Sequence, residues 1–430
     1  MLIIHTYTID YFFAIIYLFE VWGNNMNYQQ AYEKLNKINQ THLLKFYDEL
    51  NEEEKNILLN KIEKTDFSVL SIPEIKKEKE VISPIKTLTL EEIKKEEEED
   101  RLLGISALKE NKVACLLLAG GMGSRLGFDK PKGLYNMGLT KELSIFECQM
   151  NTLKEVVKEC GNYIYLFIMT SPLNDKDTRK FFKENNYFGY DKEYIKFFIQ
   201  DEFPVTDEEE KVLLDNKYTP SSAANGNGGW FLSLKNAKLD EFALSKGIEY
   251  FNVYAVDNVL QKMADPLFIG ATLKRKAEVG AKVVRKVDVN EKVGVICLSN
   301  GHPSITEYID LTDELRYSKD ERGEYLYNFG VILNYLFKFE ALERTTSTSL
   351  QIYKAKKKYA YMNLEGEYIT PDSPNAFKRE TLVLDMIKMM DSCLSFEVER
   401  EKEFAPVKNL HGVDSVDSAR GLLIKNNVKL

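Results

Sequence analysis

Residues 113–133, VACLLLAGGMGSRLGFDKPKG, constrain this chain more than any other stretch. Val113 to Leu118 is a short apolar run closed off by glycine, the pattern of a buried strand. Gly120, Gly121 and Gly123 follow at once, so the backbone turns sharply and can approach a ligand with no Cβ in the way. Arg125 and Lys132 then set two cations around that turn, with Ser124 between the glycines and the arginine. Successive main-chain N–H groups plus two cations form an anion cradle suited to a polyphosphate. The spacing matches neither the Walker lysine loop nor the dinucleotide fingerprint G-x-G-x-x-G. A plain glycine turn would account for Gly120 and Gly121, but not for the arginine, proline and lysine that follow.

After this loop, short apolar runs alternate with amphipathic stretches. The pattern predicts strands over 163–169, 195–199, 248–256 and 281–287, and helices over 144–159 and 266–279. Such alternation implies a doubly wound α/β sheet with right-handed crossovers. Asn300-Gly301 between two strand-like runs predicts a hairpin, and Glu365-Gly366 a second one. Upstream, Ala31, Leu35, Ile38, Leu43, Leu44, Tyr47 and Leu50 recur at helical spacing. Asn51 with Glu54, and Thr89 with Glu92, read as capping boxes. Residues 71–90 read as an extended connector, and the acidic run 91–100 as a solvated helix face.

A chain of 430 residues can bury a large core in two or three lobes. A net charge of −9 argues against nucleic acid as a main partner, so the cations needed for phosphate must be concentrated locally or supplied by a divalent metal. The five cysteines are scattered with no close pair, which excludes a disulfide framework or zinc site and fits a reducing, cytoplasmic setting.

The loop stands as GGMGSRLG (120–127) with PKG (131–133), and it resembles the signature of the eukaryotic UDP-N-acetylglucosamine (UDP-N-acetylhexosamine) pyrophosphorylases. Related UDP-glucose pyrophosphorylases carry a similar loop, but typically without the arginine and ending in Pro-Lys-Ser. Matching motifs run from about residue 26 to 425. The resemblance implies a Rossmann-like nucleotide-diphospho-sugar transferase core with a doubly wound mixed sheet, a helical N-terminal region and a truncated C-terminal part. The expected division is an apolar extension over 1–25, a helical region over 26–105, a catalytic domain over 106–405 and a short segment over 406–430. Residues 1–25 lack a basic leader region and a cleavage site, and their longest apolar run is too short to span a bilayer. They read as an upstream extension, with a membrane-associating leader as the alternative; no stable membrane partner is expected.

The remaining site residues rest on the same resemblance. Asp257 follows the run FNVYAV, where a carboxylate can hold magnesium on triphosphate oxygens or cap the next helix. The family's Val-Asp-Asn motif, here residues 256–258, assigns it to the metal. PSSAANGNGGW (220–230) is either a linker or, by resemblance, a loop that brings Gly226 to the nucleotide and Asn227 to the sugar. Gln200 matches a glutamine that reads the uracil edge, although a glutamine at a strand end is ordinarily a surface residue. Gly294, Glu307, Tyr308 and Asn328 match positions lining an N-acetylhexosamine pocket, and Lys378 and Lys408 match phosphate-facing cations. Hairpin, turn and surface roles would explain each of these singly. The family's Phe-Val-Phe-Asp is here Leu382-Val383-Leu384-Asp385, a change that alters the pocket wall.

The implied activity is a magnesium-dependent uridylyl transfer, from UTP and N-acetylglucosamine 1-phosphate to UDP-N-acetylglucosamine and pyrophosphate. Arg125, Lys132 and Lys408 would act on the reacting phosphates. The nucleophile is already an anion, so the reaction needs no general base. The alternatives are a UDP-glucose or broad-specificity pyrophosphorylase, and a non-catalytic UDP-sugar sensor.

Overall fold

The structure is a computed structural model and describes residues 26–72, 80–347 and 350–430. The apolar extension 1–25 lies outside the described residues. The described residues divide into two compact units, the smaller built from 26–72, 202–223 and 352–380, the larger from the other described residues.

In the smaller unit, helices Tyr28–Lys37 and Glu52–Lys64 each begin with a capping box, on Asn27 with Gln30 and on Asn51 with Glu54. Each box satisfies main-chain donors that a helix start leaves open. Ala31, Leu35, Leu43, Leu58 and Ile62 bury the apolar stripe of these helices together with Val212 and Leu214. Strands Tyr353–Lys357 and Ala376–Glu380 pair antiparallel, and Arg379 of the second is buried with Thr206 and Glu210 as partners.

The larger unit is organised by one mixed sheet. In chain order its strands are β1 (Ile82–Ser83), β2 (Thr87–Leu88), β3 (Val113–Leu118), β4 (Leu166–Thr170), β5 (Ile195–Ile199), β6 (Tyr250–Ala255), β7 (Val279–Arg285), β8 (Val295–Ser299), β9 (His302–Thr306), β10 (Phe329–Lys338) and β11 (Cys393–Glu397). The main path runs β2-β11-β7-β10-β6-β3-β4-β5, and β1 and β9 flank β8, which pairs with β10. β6, β3, β4 and β5 are parallel neighbours, whereas β10 is antiparallel to both β6 and β7. All six residues of β3 are buried. Cys115 and Leu117 enter one apolar cluster, and Ala114, Leu116 and Leu118 enter the cluster on the opposite face.

Helices cover both faces, as a doubly wound sheet requires. On one face lie α1 (Leu90–Lys109), α2 (Ile145–Cys160), α3 (Pro266–Lys274) and α4 (Val416–Lys425). The other face carries Trp230–Asn236, Leu239–Ser245 and Val383–Ile387. Ser144 caps α2 and Gly161 ends it in the left-handed region at φ 70°. α1 and α3 meet backbone to backbone: a Cβ on Gly270 would stand 1.6 Å from the Asp100 carbonyl oxygen.

Several sequence expectations shift. The capping box on Thr89 and Glu92 forms and starts α1, and Asn300 (φ 50°) with Gly301 (φ 84°) makes the two-residue hairpin turn between β8 and β9. Of the extended connector expected over 71–90, residues 73–79 lie outside the described residues, and the later part also contributes β1 and β2 to the sheet. The helix expected over 266–279 ends at Lys274, because Lys276 turns left-handed (φ 51°) and β7 begins at Val279. The acidic run 91–100 is not wholly a solvated face. Asp100 is fully buried and pairs with Lys274 and Arg275, the latter also reaching Glu96. α1 and α4 both pack on the sheet of the larger unit.

Candidate active site

Three segments leave the carboxyl ends of strands in the parallel run β6-β3-β4-β5: the glycine loop after β3, Gln200 after β5 and Asp257 after β6. Ligands of open α/β sheets bind outside this edge. The loop folds back on itself through Gly123 N–H to the Lys130 carbonyl (2.9 Å) and Lys132 N–H to the Gly121 carbonyl (3.1 Å). The amide of buried Asn174 donates to the carbonyl oxygens of Ala119 (2.9 Å) and Gly121 (3.3 Å), bracing the turn from below. Among the described residues, the N–H groups of Gly120, Gly121, Ser124 and Arg125 meet no acceptor. The glycines are needed for space: a Cβ on Gly120 would lie 2.9 Å from Gln200 Oε1, and one on Gly123 would lie 2.8 Å from Phe128. Gly121 faces open space, and Ser124 and Arg125 are exposed.

The charged residues named from the sequence converge here. Burial holds the Lys132 ammonium below the usual lysine range; Asp257 opposes that shift, and Arg125 and Lys408 add to it. The same four residues therefore share one electrostatic environment. Asp257 is half-buried, and its carboxylate accepts no hydrogen bond and forms no ion pair with the described residues. It does not cap the next helix: Asp265 does, through Leu267 N–H. Lys408 pairs with Asp414 at 3.2 Å. Glu307 is linked to this group through Lys408. Burial and then Asp310 push its carboxyl above the usual range, while Lys408 pulls it down.

Other named residues separate into those the structure brings close and those it does not. Gln200 is buried and its amide donates to the Gly226 carbonyl, so the glutamine is not a surface residue and the two glycine-bearing loops meet at its side chain. Asn227 spends its side-chain oxygen on Val383 N–H at 2.9 Å, leaving the NH₂ end free among the described residues. Gly228 packs against the Leu382 backbone. Gly294 lies beneath Glu307, since a Cβ there would stand 3.6 Å from Glu307 Oε1. Tyr308 lines a cavity of about 330 Å³ with Lys286, Asn290 and Arg316. Asn328 is not a turn residue; it directly precedes β10 and its carbonyl accepts from Lys286 N–H (2.8 Å). Lys378 belongs to the smaller unit, where it pairs with Glu380 at 2.5 Å.

Sequence reasoning missed the residues that hold this group in place. Gln149 of α2 is buried and its amide reaches the carbonyls of Ala255, Val256 and Asn258. Asn258 donates to the Glu403 carbonyl, and the Glu403 side chain pairs with buried Lys282. A lone polar residue within an amphipathic helix or strand gives no sequence signal of such a role.

Residues 33–427 match the family model described as UTP–glucose-1-phosphate uridylyltransferase. The chain belongs to that family. The UDP-N-acetylglucosamine pyrophosphorylase of Saccharomyces cerevisiae is 37% identical over 343 residues, 76% of this chain and 72% of that protein. The UDP-N-acetylglucosamine diphosphorylase 2 of Arabidopsis thaliana is 32% identical over 427 residues, covering 93% and 84%. The solved uridine diphosphate N-acetylglucosamine pyrophosphorylase of Trypanosoma brucei superposes with a TM-score of 0.77 at 25% identity, over 94% of this chain and 85% of that one. Membership of this uridylyltransferase family accords with a polyphosphate cradle at the carboxyl edge of the sheet. Among the described residues, no helix is long and apolar enough to cross a membrane.

Proposed function

We propose that this protein joins UTP to N-acetylglucosamine 1-phosphate, giving UDP-N-acetylglucosamine and pyrophosphate. The observation that carries the reading is the convergence of Arg125, Lys132, Asp257 and Lys408 at the carboxyl edge of the sheet, with Glu307 coupled to Lys408. Arg125 and the free N–H groups of the loop hold the triphosphate, and Gln200 is assigned to the uracil edge on resemblance. The sugar phosphate oxygen attacks the α-phosphorus in line; the new P–O bond forms as the bond to the β-phosphate oxygen breaks, and pyrophosphate leaves. Lys132 and Lys408 stabilise charge on the reacting phosphates, so catalysis is positioning plus preorganised electrostatics.

Asp257 is the residue that would hold magnesium, and its unpartnered, half-buried carboxylate fits that task. Among the described residues no three His, Cys, Asp or Glu gather as a metal cage. That suits magnesium, which is usually held by one or two carboxylates together with substrate phosphates. When bound, the ion neutralises charge on the phosphate oxygens. The free NH₂ of Asn227 and the carboxylate of Glu307 are the groups offered to the hexose and its acetamido substituent. Lys378 is assigned to the sugar phosphate on resemblance alone. The scattered free cysteines support a cytoplasmic setting.

Pyrophosphate release from UTP and magnesium with N-acetylglucosamine, N-acetylgalactosamine, glucose and galactose 1-phosphates tests the reading. N-acetylglucosamine 1-phosphate is expected to give the highest kcat/KM. Leu382 and Leu384, in place of rings, leave room for measurable use of the other sugars. A glucose 1-phosphate preference would reassign the sugar, and no turnover with any of the four would favour a UDP-sugar sensor.

A further inference from the structure

The side chain of Asn258 is almost wholly buried, with 2% exposure, beside the carboxylate that serves the metal. Its Nδ2 donates to Gln261 Oε1 (2.7 Å) and to the Glu403 carbonyl (2.7 Å). Its Oδ1 accepts from Leu260 N–H (3.3 Å) and Ala405 N–H (2.9 Å). Both donors and both acceptor positions of the amide are therefore used. Two of these four bonds stay within the turn that carries Asp257, and two cross to the segment 403–407 that leads into Lys408. Main-chain contacts follow the same seam, with Val407 N–H donating to the Asp257 carbonyl (2.8 Å) and Val259 N–H to the Ala405 carbonyl (3.2 Å).

That segment is anchored at its start as well. Glu403 pairs with fully buried Lys282 at 2.6 Å, and Lys282 also pairs with Asp265 at 2.7 Å. From the opposite side, Gln149 gathers the carbonyls of Ala255, Val256 and Asn258. The Asp257 turn is thus clamped between α2 and the 403–407 segment, and among the described residues the Asn258 side chain bonds to both the turn and the segment.

We propose that Asn258 is a positioning residue for uridylyl transfer, setting the spacing between the Asp257 carboxylate and the Lys408 ammonium. This rests on the assignment of those two groups to the metal and the reacting phosphate. A displacement of about 1 Å in such a constellation costs on the order of 10²-fold in rate. The triphosphate cradle of residues 120–125 is built on a different loop and braced by Asn174, so initial UTP binding does not depend on Asn258.

The test compares wild type with Asn258→Ala, and with Gln149→Met as a second route to loosening the same turn. Turnover is measured with UTP and N-acetylglucosamine 1-phosphate, and magnesium affinity is measured separately by titrating magnesium into enzyme with bound UTP, without sugar. Expected are a kcat lower by about 10–100-fold, a UTP KM within a few-fold of wild type, and a weaker magnesium midpoint in the titration. A variant that is folded but less heat-stable, with unchanged kcat and unchanged magnesium midpoint, makes Asn258 merely structural and overturns the proposal. If Asn258→Ala does not fold, Gln149→Met decides on the same two readouts. An inactive wild type would sink the functional reading, and the magnesium titration would still decide whether Asn258 governs the Asp257 site.

Discussion

Replacing Lys282 by methionine removes the cation at the centre of the ion cluster beneath the Asp257 turn. Lys282 is fully buried, 2.7 Å from Asp265 and 2.6 Å from Glu403, whose side chains are only 12% and 6% exposed. Taking one partner out of a buried pair costs about 3–5 kcal/mol, because the remaining charge is left uncompensated. Lys262, 3.4 Å from Glu403, survives as a partial counter-ion, and methionine refills the volume and gains about 1 kcal/mol from apolar burial. The net loss is about 2–4 kcal/mol, which at a urea slope near 3 kcal/mol/M lowers the midpoint by about 1 M. Trp230, buried in the larger unit, reports the transition by fluorescence. The pH dependence supplies an internal check. Burial pushes the Asp265 carboxyl up, but Lys282 outweighs it and holds the group below the ordinary range. A depressed carboxyl contributes stability above its unfolded pKa and loses it as pH falls through the folded value. That contribution vanishes in Lys282→Met, so the gap from wild type is widest near neutral pH and narrows below about pH 4. Adding Asp265→Asn and Glu403→Gln to the methionine variant restores much of the midpoint. A single variant within about 0.3 M of wild type at pH 7, equivalent to ~1 kcal/mol, would refute the account of this cluster.

Lys132→Ala is expected to keep the fold while lowering kcat by about 10²-fold or more, through loss of a preorganised cation; near-normal turnover of folded enzyme would remove Lys132 from the mechanism. Asp257→Asn is expected to lose most activity and to recover part of it at higher magnesium, so an unchanged magnesium dependence would count against the metal role. Glu307 carries a carboxyl that burial and Asp310 push up, so its folded pKa exceeds its unfolded one. Such a group favours the folded state below the unfolded pKa and loses that contribution as pH rises through the folded value. Glu307→Gln should therefore raise Tm relative to wild type near pH 8 and show no gain near pH 4, and an equal effect at both would remove burial as the cause. The same variant should raise the KM for the sugar phosphate more than that for UTP.

Local signals in this chain carried the elements that end where a side chain meets a main-chain donor or where φ turns positive. The Asn51 and Thr89 boxes, Ser144 before α2 and the Asn300-Gly301 turn depend on residues three or fewer positions apart, so a sequence window contains the whole interaction. β1 and β2 were not legible for the opposite reason. Two-residue strands have no periodicity, and Ile82 and Thr87 are strands only because Ser299 and Ser395 lie beside them across more than two hundred residues. Asp100 shows the same limit on burial. Within a run of acids it looks solvated, and only Lys274 and Arg275 on a distant helix make its burial affordable.

The candidate site divides along the same line. Its anion-facing groups sit on loops just beyond strand ends, where a residue type at a motif position already states its chemistry; Arg125, Lys132 and Asp257 come together without help from distant sequence signals. Asn227 shows what a motif leaves out. An amide can both donate and accept, but the structure commits one acceptor position of its oxygen to Val383 N–H and leaves the NH₂ end free among the described residues, so the amide meets a ligand chiefly as a donor. A sugar group facing Asn227 must then be an acceptor, a hydroxyl or acetamido oxygen. Glu307, an acceptor when ionised, complements it by taking a hydroxyl or amide proton. On the proposed reading the two residues offer opposite hydrogen-bonding ends to the hexose, and either a hydroxyl or an N-acetyl substituent, each with a donor and an acceptor, can meet both. The choice between an N-acetylated and a plain hexose therefore rests on the turnover comparison of the four sugar phosphates, not on this pairing or on the ring-to-leucine changes at Leu382 and Leu384.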